Sequence, residues 1–290
     1  MGVLDLQIFE SSLEISLRRG VSMNAPRAPV AVLRGARRVW AVGAIHGDAE
    51  RIRFLCEKVM PLFEPGDRLV FLGNYLGYGV GVCEAIDALL SLRRAFLARK
   101  PFVHTDDIVF LRGCQEEMLR CLLELQFAVE PGRVLEWGLG RGVGATISAY
   151  GGDPETGLAC ARDGPLAMTR WTGGLREGLK RKHGHASLMG NLHWAACTQD
   201  QKLLFVSSGL DTAKQIGAQS DSFWWAGRSF AAIRSPYGGF EKIVRGFDPA
   251  QGGFVETPFT ITVDGGCGFG GHLLAVCLSP DGAVLQRVAA

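Results

Sequence analysis

A chain of 290 residues, 47% of them hydrophobic, is long enough to bury one large core, alone or with a small cap. Its formal charge of +2 is too near neutral for a dedicated nucleic-acid binder, and no apolar run approaches membrane-spanning length. No basic start followed by an apolar block opens the chain, so a signal peptide is not read there and a cytoplasmic location is expected. The eight cysteines include no Cys-x-x-Cys pair, which argues for reduced, mostly buried thiols rather than a zinc knuckle or a disulfide framework.

In chain order, residues 1–37 read as an N-terminal extension and 38–290 as the domain proper. Within the extension Leu13, Ile15 and Leu17 alternate with polar neighbours, as in a half-buried strand, and 24–29 reads as a loop. Arg18, Arg19, Arg27, Arg34, Arg37 and Arg38 make this end basic. It is either an edge strand with a solvated charged face or a docking element for an acidic partner. Apolar runs at 39–43, 69–73 and 108–111 predict buried strands. Between them, 49–63 and 80–98 carry apolar residues at helical spacing: Ile52, Leu55, Cys56 and Val59, then Ile86, Leu89, Leu90 and Leu92. Such alternation implies parallel pairing with right-handed crossovers, and it gathers the strand ends into one crevice where α/β sheets hold ligands. A third helix is predicted over 114–128. Residues 152–191, rich in Gly and basic residues, read as a cap-like segment of helical turns and loops over the crevice. Strands return at 202–206, 241–244, 259–263 and 273–278.

Five short segments fall at the ends of these strands: Gly43-Ala44-Ile45-His46-Gly47, Gly73-Asn74-Tyr75-Leu76-Gly77-Tyr78-Gly79, Arg112-Gly113-Cys114-Gln115-Glu116, Val206-Ser207-Ser208-Gly209 and Val244-Arg245-Gly246-Phe247-Asp248-Pro249. In this order they resemble the GDxHG, GDxxDRG, RGNHE, VHAG and HGHTP signatures of the serine/threonine phosphoprotein phosphatases, within the calcineurin-like metallophosphoesterases, with the closest likeness to the bacterial branch. The resemblance covers roughly residues 38 to 282, and the turn at 264–271 is similar to the family's DTGxxFGG turn. It implies a calcineurin-like α/β sandwich of two mixed β-sheets flanked by helices.

The resemblance also implies a two-metal site, and the ligand positions are changed. They are Ala44, Asn74, Cys114, Ser207 and Phe247, with His46 alone kept. The general-acid position is Gln115, which has no proton to exchange near neutral pH, and its supporting Asp and a phosphate-binding Arg are Gly77 and Tyr78. Two dications about 4 Å apart repel by on the order of 16 kcal/mol at an effective dielectric near 20. The family's two carboxylates offset this, and here both are gone. No cofactor is therefore expected. The alternative is a single zinc or manganese ion on His46, Asn74 and Cys114 with Asp248 or Asp48, although Asn is a poor zinc ligand. Arg112 matches a family phosphate-binding Arg and, with His46, Arg245 and Arg228, forms a candidate anion pocket; a structural salt bridge is the competing reading.

Two further patterns read as incidental. Cys114 and Arg120 have the Cys-x5-Arg spacing of cysteine-dependent phosphatases, but Glu116 and Glu117 would repel a phosphate there. His183 and His185 read as a solvated loop. The expected function is that of a catalytically inactive phosphatase homologue that binds a phosphorylated ligand or a protein partner. The alternative is a phosphoesterase with altered or single-metal chemistry.

Overall fold

Strand periodicity explains how two cores are built from one set of strands. The computed structural model describes residues 30–100 and 104–290. The expected strand around Leu13, Ile15 and Leu17, the loop at 24–29, and Arg18, Arg19 and Arg27 lie outside the described residues. Strands β1 (Val30–Leu33), β2 (Arg38–Val42), β3 (Asp67–Phe71) and β4 (Ile108–Phe110) are followed by β5 (Ala195–Thr198), β6 (Leu203–Val206), β7 (Lys242–Arg245), β8 (Val255–Glu256), β9 (Thr260–Thr262), β10 (Leu274–Leu278) and β11 (Val284–Ala289). One sheet has the order β11-β10-β2-β3-β4 and the other β1-β5-β6-β7-β9-β8. Both sheets are mixed: β2, β3 and β4 run parallel with β10 antiparallel, and β6, β7 and β9 run parallel with β5 antiparallel.

Successive side chains of a strand point to opposite faces. Val39 and Ala41 of β2 therefore join Val70, Leu72, Phe205, Val244 and Val276 in the layer between the sheets. Trp40 and Val42 face the other way, onto a helix-covered core with Leu69 and Phe71. A strand buried on both faces reads as a continuous apolar run.

The helices are α1 (Ala49–Val59), α2 (Val82–Leu97), α3 (Cys114–Leu123), α4 (Pro131–Leu139), α5 (Val143–Ala149), α6 (Pro154–Asp163), α7 (Pro165–Arg181), α8 (His185–Gly190) and α9 (Ser222–Trp225). Asp48 caps α1 by accepting the Arg51 N–H at 3.0 Å, and Pro131, Pro154 and Pro165 start α4, α6 and α7 where a helix needs no N–H from them. No helix among the described residues is long and apolar enough to cross a membrane.

Three expectations need correction. Residues 30–33, grouped with the extension, pair in parallel with β5 and belong to the sheet. Residues 152–191 form α6, α7 and α8 rather than turns; α7 packs on α3 and the 125–127 turn, where Arg176 donates to the Leu123 carbonyl, and α6 packs on α4. His185 is buried, with Tyr150 Oη at 3.0 Å and Asp87 Oδ1 at 3.2 Å from its two ring nitrogens, so it pins α8 to α2 and the end of α5.

Candidate functional site

The five loops meet at the strand ends; backbone hydrogen bonds sew four of them together, and side chains tie in the fifth, at 112–116. Ile45 and His46 N–H both donate to the Asn74 carbonyl at 2.9 and 2.8 Å, Ala44 N–H donates to Gly246 at 2.9 Å, and Gly246 and Phe247 N–H donate to Ser207 at 3.0 and 2.9 Å. His46 and Asn74 hold φ of 52° and 57°, a left-handed conformation costly for residues with a Cβ. Gly73, at φ 91°, must be glycine for a second reason: a Cβ there would stand 2.7 Å from Gly113 N and 2.9 Å from Ser207 Oγ.

One carboxylate organises these turns. Glu116 lies in the first turn of α3, is 4% exposed, and accepts N–H bonds from Gly113 (2.9 Å), Asn74 (2.8 Å), Tyr75 (2.8 Å) and Leu76 (3.2 Å). Burial pushes its pKa up, and the four N–H donors pull it back.

Where the resemblance places metal ligands, the side chains bond to one another. Asn74 Oδ1 accepts from Cys114 Sγ at 3.1 Å and from Gln115 N–H at 3.1 Å, while Asn74 Nδ2 reaches Ser207 Oγ at 3.5 Å. Burial pushes the Cys114 thiol up to about 12, so in this arrangement it stands as a thiol rather than a free thiolate nucleophile at neutral pH. Gln115 donates to the Arg141 carbonyl at 2.8 Å, and its side chain lies against Gly77.

His46 stands in an aromatic cage. Tyr78, Phe247 and Phe269 surround its ring at centroid distances of 5.3, 5.3 and 5.2 Å, all in edge geometry. Among the described residues neither ring nitrogen makes a hydrogen bond of good geometry, and burial pushes its pKa down to about 4 against a weaker opposing pull from the Leu76 backbone. Gly268, at φ 85°, brings the last turn close enough to His46 for Phe269 to complete the cage.

These residues do not fit a metal pair. Ala44 has no donor atom, Asn74 is spent on Cys114, Gln115 and Ser207, and Phe247 fills space rather than ligating. The single-ion set of His46, Asn74, Cys114 and Asp248 fares no better. The Asp248 carboxylate accepts from Ala250 and Gly252 N–H at 3.0 and 3.2 Å and faces Arg245 Nη2 at 3.1 Å.

The four residues of the expected anion pocket differ in exposure. Arg245 is 4% exposed and engaged at each of its three nitrogens, donating to Thr262 Oγ1, the Gly227 carbonyl and Asp248, with Phe230 under its guanidinium at 4.4 Å. His46 is buried and neutral. Of the proposed set, only Arg112 and Arg228 reach solvent, and Arg112 pairs with Glu117 at 3.0 Å beside the Trp224 ring. Glu117 also holds Arg120 at 2.6 Å, which separates Arg120 from Cys114. Burial alone would raise the Glu117 pKa, but Arg120 and Arg112 together hold it below the ordinary value. Because Arg120 remains as a partner, Arg112→Ala is expected to cost only about 1 kcal/mol, read as a small drop in the urea midpoint.

Glu116, Phe269 and Arg141 escaped sequence reasoning as site residues. A signal for Glu116 existed: a carboxylate three residues after a glycine that opens a helix is a capping pattern. Phe269 occupies the Phe position of the turn at 264–271 that resembles DTGxxFGG, which marked the turn but gave the ring no role, and Arg141 carries no such signal.

Solved structures show what this architecture is. A serine/threonine phosphatase from Saccharomyces cerevisiae superposes with a TM-score of 0.50 at 11% identity, over 99% of this chain and 88% of its own. The two chains share one fold, a sandwich of two mixed β-sheets flanked by helices. A protein assigned as a diadenosine tetraphosphatase (TM-score 0.49, 17% identity, 91% of this chain and 99% of that one) and a mutant cold-active protein tyrosine phosphatase (0.49, 13%, 93% and 85%) are also similar. At these identities the likeness concerns fold and not activity. No protein-family model and no curated protein sequence matches the chain.

Proposed function

We propose that the chain is a catalytically inactive homologue on the phosphatase fold, acting by binding a phosphorylated ligand or a protein partner at the crevice mouth. The observation that carries this reading is the direct bonding of Asn74 to Cys114 and Ser207, across the positions that would otherwise hold ions. Among the described residues, the neighbouring side chains do not supply the chemistry in another way. Gln115 has no exchangeable proton at neutral pH, Cys114 is a buried thiol, and Ser207 has Asn74 rather than a base as its neighbour.

The alternative, a hydrolase with single-metal chemistry, draws on the two nitrogens of His46, which make no hydrogen bond of good geometry among the described residues. Three rings stand around that imidazole instead of a second ligand. Protein purified without chelators is expected to carry no stoichiometric metal and, with manganese added, to turn over aryl phosphates no faster than buffer. Turnover that disappears in Asn74→Ala would overturn the reading. For a phosphorylated ligand, phosphate at a hundredfold excess over its dissociation constant adds about 2.7 kcal/mol of stability, a gain that Arg228→Ala and Arg112→Ala together are expected to remove.

A further inference from the structure

A pocket lies at the other end of the sheet that carries the crevice. The crevice stands where β2, β3 and β4 end, whereas Asp67 opens β3 and Asp107 directly precedes β4. Around those two carboxylates a pocket of about 170 Å³ is lined by the turn at 64–68, by Phe96 of α2, by Arg99 and Lys100 just past its end, and by His104 and Asp107. The five residues of β3, rising about 3.3 Å each, set it on the order of 17 Å from the crevice.

The carboxylates of this pocket are already answered by cations. Asp67 accepts from Arg38 at 2.8 and 2.7 Å and from Trp40 Nε1 at 3.1 Å, and the more exposed Glu64 faces Arg38 Nη1 at 2.9 Å. Asp107 faces Arg68 Nε at 2.9 Å and accepts the His104 N–H at 2.9 Å. Two cations are left over. Arg99 lies over the Phe63 ring at 5.1 Å and gives one terminal nitrogen to the Phe63 carbonyl, so its guanidinium is held in place with donors to spare. Among the described residues neither Arg99 nor Lys100 meets a carboxylate. His104 adds at least one ring N–H donor, because an imidazole carries one whether neutral or protonated.

We propose that this pocket binds the phosphate group of a small ligand, held by Arg99 and Lys100 with the His104 ring at its side. Guanidinium and ammonium groups both form charge-assisted hydrogen bonds to phosphate oxygens, and a guanidinium fixed beforehand loses less freedom in forming them. Size narrows the ligand further. A volume of about 170 Å³ is below the roughly 300–1,000 Å³ that encloses a drug-sized molecule, so the pocket takes one oxyanion with its water and no more of a ligand than that. The site is separate from the crevice and stands whether or not the crevice binds or hydrolyses anything.

The test titrates the full isotope-labelled chain with inorganic phosphate, sodium chloride holding the ionic strength constant, and follows the backbone amides by NMR. Saturable shifts are expected at 64–68 and around Arg99, Lys100 and His104, in the wild type and equally in the Arg112→Ala, Arg228→Ala double variant. Affinity should fall at least about tenfold in the Arg99→Gln, Lys100→Gln double variant. Lys100→Gln alone, at an exposed residue that holds nothing else in place, should already weaken it. Phenyl phosphate run alongside separates two sources of the group: affinity equal to that of inorganic phosphate assigns the pocket to a phosphate on a molecule that projects from it, and weaker affinity to the free anion. Absence of saturable shifts at these residues, shifts that chloride reproduces, or undiminished affinity in the Arg99, Lys100 variant overturns the proposal. Binding confined to the crevice loops and lost only in the Arg112, Arg228 variant overturns it too, while leaving the proposed function standing.

Discussion

Glu116→Ala is expected to abolish cooperative folding or to lower stability by more than about 4 kcal/mol. The carboxylate accepts four backbone N–H bonds, from Gly113, Asn74, Tyr75 and Leu76, at a residue 4% exposed. An unsatisfied buried donor costs roughly 1–3 kcal/mol, and four of them approach the whole stability of an ordinary domain. Urea unfolding followed by tryptophan fluorescence measures the loss, and Glu124→Ala, a half-exposed ion pair on the same helix, is the control expected to change little. If Glu116→Ala unfolds within about 1 kcal/mol of the wild type, the turns are held by other forces.

The second large effect is a pH dependence traced to His46. Burial pushes its pKa down to about 4 from an ordinary 6.5. Between those values the unfolded chain takes up a proton that the folded protein excludes. The stability contributed by the neutral ring is therefore complete above about pH 6.5, declines as pH falls through the window, and is lost near pH 4. The full effect is about 3 kcal/mol. His185 contributes in the same direction, because burial lowers its pKa while Asp87 opposes, so the wild-type profile alone does not isolate one ring. His46→Phe keeps an aromatic ring among Tyr78, Phe247 and Phe269 and removes the titration. Denaturation at pH 7.5 and 4.5 should then show a smaller loss in the variant, and parallel profiles would assign the acid sensitivity elsewhere.

Both predictions rest on groups whose roles depend on distant partners. Glu116 appeared in the sequence only as a charge that would repel phosphate; in the fold it is the acceptor that shapes two loops. Arg245 looked like a phosphate ligand because it lies in a segment resembling a family signature, yet each nitrogen of its buried guanidinium faces a protein acceptor. His185 looked solvated because it follows three basic residues, yet the start of α8 turns it inward toward Tyr150.

The sequence by itself determined the alternation of β2, α1, β3, α2, β4 and α3, the parallel pairing of β2, β3 and β4, and the place of the five loops at strand ends. These follow from local periodicity and from glycines at sharp turns, which a reader of the chain can see without knowing the fold. It also determined which donor atoms are missing, since Ala44 and Phe247 have none to offer in any conformation. Small or exposed strands escaped it. Ala-Ala-Cys-Thr in β5 carries little β signal, and β11 is a largely exposed partner of β10 alone. Only the tertiary structure decided what occupies the vacated site, because the groups that close it lie far apart in the chain. Asn74 and Ser207 are 133 residues apart, and the rings around His46 come from three separate loops. Which polar atom satisfies which other, and which ring fills which gap, is set by close packing after the sheets assemble, and no local pattern encodes it.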